Sequence, residues 1–169
     1  MALGDIKILE QATTGGRGAR LYNVAAGTPI LAGEPVQRDL AGTTVYPALT
    51  STPVVGTSYY AGVAATSSTN TSSAAGVVYV NPVDNQTTYL ISPAVAASWD
   101  TQAEYNALVG KRVLLQNSTT VSATPQNVGT YSILASDSAN NGCVVQALDI
   151  TKHPGKVAFA FRAGTSDLA

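Results

Sequence analysis

Lys156-Val-Ala-Phe-Ala-Phe-Arg162 sets the fold class. Val157, Phe159 and Phe161 fall on one face of an extended chain and Ala158 and Ala160 on the other. No polar residue interrupts this run, so the strand is expected to be buried on at least one side and to lie near the centre of its sheet. Three upstream stretches share its character: Lys111-Arg-Val-Leu-Leu-Gln116, Gly129-Thr-Tyr-Ser-Ile-Leu134 and Gly142-Cys-Val-Val-Gln-Ala-Leu148. Each is rich in β-branched or apolar residues, and Asn141-Gly142 is a tight-turn signal.

Strand and turn signals continue toward the N-terminus. Gly76-Val-Val-Tyr-Val80, a turn at Asn81-Pro-Val-Asp-Asn-Gln86 and Thr87-Thr-Tyr-Leu-Ile91 predict a β-hairpin. Thr43 to Ala65 has strand composition broken by Gly and Pro, and Thr66 to Ser73, purely Ser, Thr and Asn, predicts a solvated loop. Leu21-Tyr-Asn-Val24 and Thr28 to Val36 predict short edge strands and turns, because Pro29 and Pro35 cannot donate to a ladder. One helix stands out. Thr101 and Glu104 form a capping-box pair, Leu108 and Val109 follow Tyr105 by three and four positions, and Gly110 is a C-terminal stop. The spacing predicts a helix over Thr101 to Val109, with Trp99 partly buried beside its start.

These signals predict a mainly β protein, a small β-barrel or β-sandwich-like domain with one short α-helix and an extended N-terminal arm. Residues 1–20 form the arm, because Gly15, Gly16 and Gly18 cannot hold a helix after Ile6-Lys-Ile-Leu9. Residues 21–162 form the body, and 163–169 a tail. The body is one unit or two, about 21–92 and 111–162, joined by the helix near 101–109. A short echo is compatible with two, Val55-Gly-Thr with Gly76-Val-Val downstream and Val128-Gly-Thr with Gly142-Cys-Val-Val downstream, but the match is short, its spacings differ, and such self-similarity arises easily in low-complexity β sequence.

Composition narrows the function classes. Of 169 residues 11% are charged, against roughly 25% in an average globular protein. With 45% apolar residues and a net charge of −1 the chain has enough apolar matter to fold and no field to attract a polyanion or a membrane surface. Nucleic-acid binding through many phosphate contacts and membrane association are therefore not expected. The start at Met1 lacks a secretory pattern and no stretch reaches the roughly 18 apolar residues of a membrane span, so synthesis in a host cytoplasm is expected. Cys143 is the one cysteine and His153 the one histidine, which forbids an internal disulfide and a cysteine-histidine zinc cage.

Catalytic constellations fare no better. Cys143 begins one predicted strand and His153 lies in the turn at its other end, more than about 20 Å away at strand rise. Asp84, Asp100, Glu104, Asp137 and Asp149 all sit at turns, caps or strand ends, where Asx turns and capping account for them. Asp137-Ser-Ala-Asn-Asn-Gly142 begins like a calcium loop, but Ala139 and Leu148 stand where oxygen ligands are needed. Gly15-Gly-Arg-Gly-Ala-Arg20 lacks the preceding strand and following helix of a phosphate cradle and reads as a mobile arm. No enzyme activity, metal or cofactor is expected.

The pattern as a whole resembles the capsid decoration, or cement, proteins of tailed bacteriophages. The resembling pieces are the N-terminal arm, Gly27-Thr-Pro-Ile-Leu-Ala-Gly-Glu-Pro-Val36, the Tyr60-Ala-Gly-Val-Ala-Ala65 run with its Ser/Thr loop and Gly76-Val-Val-Tyr-Val80, and the closing Gly-rich β-meander, about two-thirds of the chain. The resemblance implies a structural virion protein that binds the outside of an expanded capsid, often as a homo-trimer, and clamps neighbouring copies of the major capsid protein. It points to Ile6, Ile8, Leu9, Arg17 and Arg20 as the capsid-binding set, on an arm that orders against a partner surface. Alternatively, Ile6 to Leu9 forms a strand of the protein's own body or of a neighbouring subunit. The competing functions are a head fibre, or a carbohydrate-binding adhesive module whose stacking platform would come from Tyr59, Tyr60, Tyr79, Tyr89 and Trp99.

Overall fold

The computed structural model describes residues 6–10, 18–48, 58–83, 86–95, 98–117, 131–135 and 141–162. The strands in chain order are β1 (Lys7–Glu10), β2 (Arg20–Val24), β3 (Pro35–Asp39), β4 (Thr44–Pro47), β5 (Ser58–Ala64), β6 (Gly76–Pro82) and β7 (Thr88–Ile91). After the helix α1 (Gln102–Leu108) come β8 (Arg112–Asn117), β9 (Tyr131–Leu134), β10 (Cys143–Val145) and β11 (Val157–Phe161). The fold is mainly β with one short helix, as its patterning requires.

β2 to β6 form a closed barrel in the order β2-β4-β3-β5-β6. Val24, Ile30, Val36, Val45, Ala61, Ala64, Val78 and Val80 fill it. In β5 the inward residues Ala61 and Ala64 are three apart because the register to β3 shifts between Val36 and Gln37, a bulge that turns Tyr60 and Val63 outward. β2 is no edge strand, since β6 and β4 flank it. Pro35 opens β3, where its missing N–H is harmless, and its carbonyl accepts from Ala48 N.

The other strands form a sheet ordered β1-β7-β11-β10-β8-β9. Its far edge returns to the chain just past β7. Pro93 bridges Ile133 in parallel, Ile133 N donates to Ser92 O at 3.2 Å, and Ala94 N donates to Ile133 O at 2.8 Å. β7 to β11 therefore close into a second ring, with β1 lying alongside the first half of β7. β11 lies inside this sheet, and all five of its residues are buried. The hairpin expected between Gly76–Val80 and Thr87–Ile91 does not form, because β6 pairs with β2 and β5 whereas β7 pairs with β11 and β1. The two units therefore divide between Pro82 and Thr88, earlier than residue 92.

The two rings repeat one topology. Each begins with a strand that pairs antiparallel with the fifth and parallel with the third, and the second lies between the third and the fourth. The correspondence holds at residue level. Gly33 (φ 87) and Gly110 (φ 81) precede β3 and β8 with left-handed backbone, and donate to Ala64 O and Val145 O respectively. Ala64 N and Val145 N return bonds to Glu34 O and Lys111 O, while Ala65 N and Gln146 N donate to Tyr79 O and Ala158 O. On that mapping Leu21↔Tyr79 matches Leu90↔Ala158, Val24↔Val45 matches Pro93↔Ile133, and Arg38↔Val45 matches Leu115↔Ile133. The short sequence echo is not this repeat: Gly76 opens β6, which matches β11, whereas Gly142 precedes β10, which matches β5. The Val55 and Val128 halves of that echo lie outside the described residues.

The larger core joins the rings. Tyr60 on the outer wall of the first packs on Phe161 with ring centroids 4.7 Å apart, and the Tyr131 hydroxyl donates to Ala48 O at 3.1 Å. Helix α1 begins at Thr101, whose side chain accepts from Glu104 N while the Glu104 carboxylate accepts from Thr101 N, a complete capping box. Trp99 is buried and meets Tyr105 edge-on at 5.6 Å. The Tyr105 hydroxyl donates to Gln146 O and accepts from Ala158 N at 2.8 Å, fastening α1 to the outer face of β11.

Candidate functional site

The two reactive groups that sequence singles out are held in different settings. Cys143 is fully buried on β10, and burial raises its thiol pKa well above the ordinary range with nothing opposing it. His153 sits in the turn after Asp149, its N–H on Asp149 O. Tyr60 is buried next to this thiol; burial first, then Cys143 and Tyr131, raise its pKa, and its hydroxyl has no hydrogen-bond partner. Such a group favours the neutral form and is no nucleophile. Among the described residues no three His, Cys, Asp or Glu side chains converge, and no helix is long and apolar enough to cross a membrane. Asp84, Asp137 and Ala139 lie outside the described residues.

The carboxylates that are described do structural work. Glu104 closes the capping box, and the hydrogen bonds it accepts from the hydroxyl and N–H of Thr101 lower its pKa. Asp149 accepts from the hydroxyl of Thr151 at 2.6 Å and from its N–H, an Asx turn that lowers its pKa.

The Ser, Thr and Asn loop proves to be a hydrogen-bonded cover on one end of the first barrel. Ser68 Oγ accepts from Ile30 N and donates to Ile30 O, Asn70 Nδ2 donates to Ala25 O, and Thr69 Oγ1 accepts from Val77 N. These side chains take over bonds that a strand would have made.

The proposed arm residues separate. Ile6 is only 7% exposed and belongs to the larger core, and β1 pairs with β7 through Lys7↔Leu90 and Ile8↔Tyr89. Residues 6–10, Leu9 included, are thus part of the protein's own sheet, which corrects the reading of residues 1–20 as one free arm. Burying Ile6 in its own chain satisfies the apolar cluster without a partner. Arg17 lies outside the described residues, and Arg20 opens β2 on the surface. Of the suggested stacking platform, Tyr60, Tyr89 and Trp99 are core, and Tyr59 carries the Arg38 guanidinium over its ring at 5.9 Å.

The outer wall of the first barrel offers a surface instead. Leu21 on β2 and Tyr79 on β6 are direct cross-strand partners, 55% and 49% exposed. Val77, Asn23 and Asn81 flank them on the same face. Leu21 carried no functional signal in the sequence, because its pairing with Tyr79 is invisible without the register. Comparison with protein-family models, with curated proteins and with solved structures finds no match to this chain.

Proposed function

We propose that the protein is a structural component of a tailed-phage virion that binds the outer capsid surface and stabilises the shell by bridging major capsid subunits, acting as a homo-trimer on the lattice. The carrying observation is the adjacent Leu21 and Tyr79 on the β2–β6 face, whose described strand residues include no acidic side chain, in a chain with a net charge of −1. Apolar side chains exposed in register on a rigid barrel favour burial against a protein partner. A nearly neutral surface suits close packing of many copies, where like charge would repel. Binding only to the assembled lattice stabilises it by mass action, and many weak sites act together. The sequence resemblance to decoration proteins supports the same reading.

The test is co-sedimentation of the purified protein with expanded, undecorated capsids, with its copy number measured in purified virions. Saturable binding in fixed ratio to the major capsid protein is expected. Absence from virions, together with no binding to expanded capsids, overturns the proposal.

A further inference from the structure

Asn141-Gly142 is the one Asn-Gly pair in the chain, and the fold does not use it as the tight turn that its sequence signals. A two-residue hairpin turn needs left-handed backbone, which among the described residues occurs at Gly27, Gly33, Gly110 and Gly155 and not at Gly142. Both residues are instead buried at the entry to β10. Asn141 is 5% exposed, and its Nδ2 donates to Arg112 O at 3.1 Å. Only the NH2 end of an amide can face a carbonyl oxygen, so chemistry fixes its orientation. Gly142 O accepts from Arg162 N at 2.8 Å, and Cys143, the next residue, pairs with Phe161 on one side and Val113 on the other.

Such a pair carries a reaction of its own. Where glycine follows asparagine no Cβ hinders the peptide nitrogen, and that nitrogen can attack the asparagine Cγ. The N–Cγ bond forms as the nitrogen gives its proton to water, the Cγ–Nδ2 bond breaks, and the amide nitrogen takes up a proton and leaves as ammonia. Water then opens the resulting succinimide, at one carbonyl to aspartate and at the other to isoaspartate. Water is the only co-reactant. In the native chain ring closure is opposed at each step. The Asn141 amide is held on the Arg112 carbonyl, and the backbone that must swing Gly142 N onto Cγ is anchored one peptide on by the bond from Arg162. Burial keeps out the water that takes the proton.

We propose that Asn141 is the site of spontaneous deamidation in this protein, shut while β10 is paired and opened by excursions that release the start of that strand, and that the conversion is one-way for the fold. The aspartate product sets a carboxylate oxygen against the Arg112 carbonyl oxygen, two acceptors with no proton between them in a buried site. The isoaspartate product adds a methylene to the main chain and slips Gly142 against Arg162. β10 lies between β11 and β8, so damage at its entry reaches Phe161 and the packing between the rings. Each excursion that ends in conversion removes a molecule from the native pool. The lifetime so set is independent of the capsid role proposed above.

The test is peptide mapping by mass spectrometry of the full-length protein incubated at mildly alkaline pH, folded and in urea. In urea Asn141 is expected to convert before every other asparagine, and in the folded protein at least roughly tenfold more slowly, since conversion waits on opening. Intermediate urea should raise Asn141 conversion and Cys143 labelling together, because the same opening frees both. Equal rates folded and unfolded, another asparagine converting first in urea, or a rise in Cys143 labelling without conversion overturns the proposal. Two variants check the product by urea denaturation. Asn141→Ala loses the bond to Arg112, whereas Asn141→Asp loses it and adds the opposed acceptor. Asn141→Asp should therefore have the lower midpoint; a midpoint at or above that of Asn141→Ala shows that the product refits and overturns the one-way step. Failure of Asn141→Asp alone to fold is the same misfit in stronger form, and the wild-type rates still decide the site.

Discussion

Tyr60 places a hydroxyl in a fully buried site with no hydrogen-bond partner, beside Cys143 and against Phe161. Removing an orphaned buried polar atom while keeping the ring is favourable, so Tyr60→Phe is expected to raise stability by about 1 kcal/mol in a denaturant melt. Cys143 should resist a thiol reagent in the native protein and react within minutes after unfolding; rapid native labelling would show that the β10 strand opens readily. Tyr46 differs, because the residue is only half-buried and its hydroxyl donates to Asp39 Oδ1 at 2.9 Å. Burial, then that bond, pushes its pKa up to about 12. A folded pKa above the unfolded value contributes stability below pH ~10, lost as pH rises through the folded value. An absorbance titration should therefore show a tyrosine ionising at about pH 12, a step that Tyr46→Phe removes.

At the scale of elements, α1 depends on its cap more than on its length, since seven residues do not make a stable helix alone. Thr101→Ala is expected to cost about 1 kcal/mol. Glu104 has a lowered pKa, so its share of the cap is present above the ordinary carboxylate range and lost as pH falls through its folded value. A melting-temperature series from pH 7 to pH 3 should thus fall more steeply for the wild type than for Glu104→Gln. In the first barrel the loop over its end crosses β6 so closely that a Cβ on Gly76 would run into the backbone of Thr69 and Asn70. Gly76→Ala should destabilise by roughly 1–3 kcal/mol, an overpacking cost, measurable by chemical denaturation. The capping box was legible in sequence because it is a local pattern; the loop's role was not, because its partners Ala25, Ile30 and Val77 are brought to it by barrel closure.

For the whole molecule, the two rings share one aromatic seam through Tyr60, Tyr89, Phe159 and Phe161. Unfolding is therefore expected to be a single transition, with Trp99 fluorescence, which reports on the second ring, and far-ultraviolet circular dichroism, which reports on both, melting together. Phe161→Ala removes the ring at the centre of the seam and should cost about 3–5 kcal/mol while separating the two melts. The proposed capsid role belongs to this scale too, since the seam ties the barrel that carries Leu21 to the ring that carries β1.

The sequence alone determined the class of fold, the capped helix with its buried Trp99, and the burial of β11, because each rests on contacts within a few residues or on strict alternation. Which strands pair was decided only in three dimensions. Gly76–Val80 and Thr87–Ile91 sit beside a good turn, yet each gains more by completing a separate ring than by forming a two-stranded ribbon. The duplication was likewise hidden. It resides in hydrogen-bond register, which nearly any β-compatible residue satisfies, so Arg20 and Tyr89, or Tyr79 and Ala158, hold equivalent places with no likeness of side chain. Ile6 left its expected place on a free arm for the same reason: pairing of β1 with β7 buried it, while closing the barrel left Leu21 facing solvent.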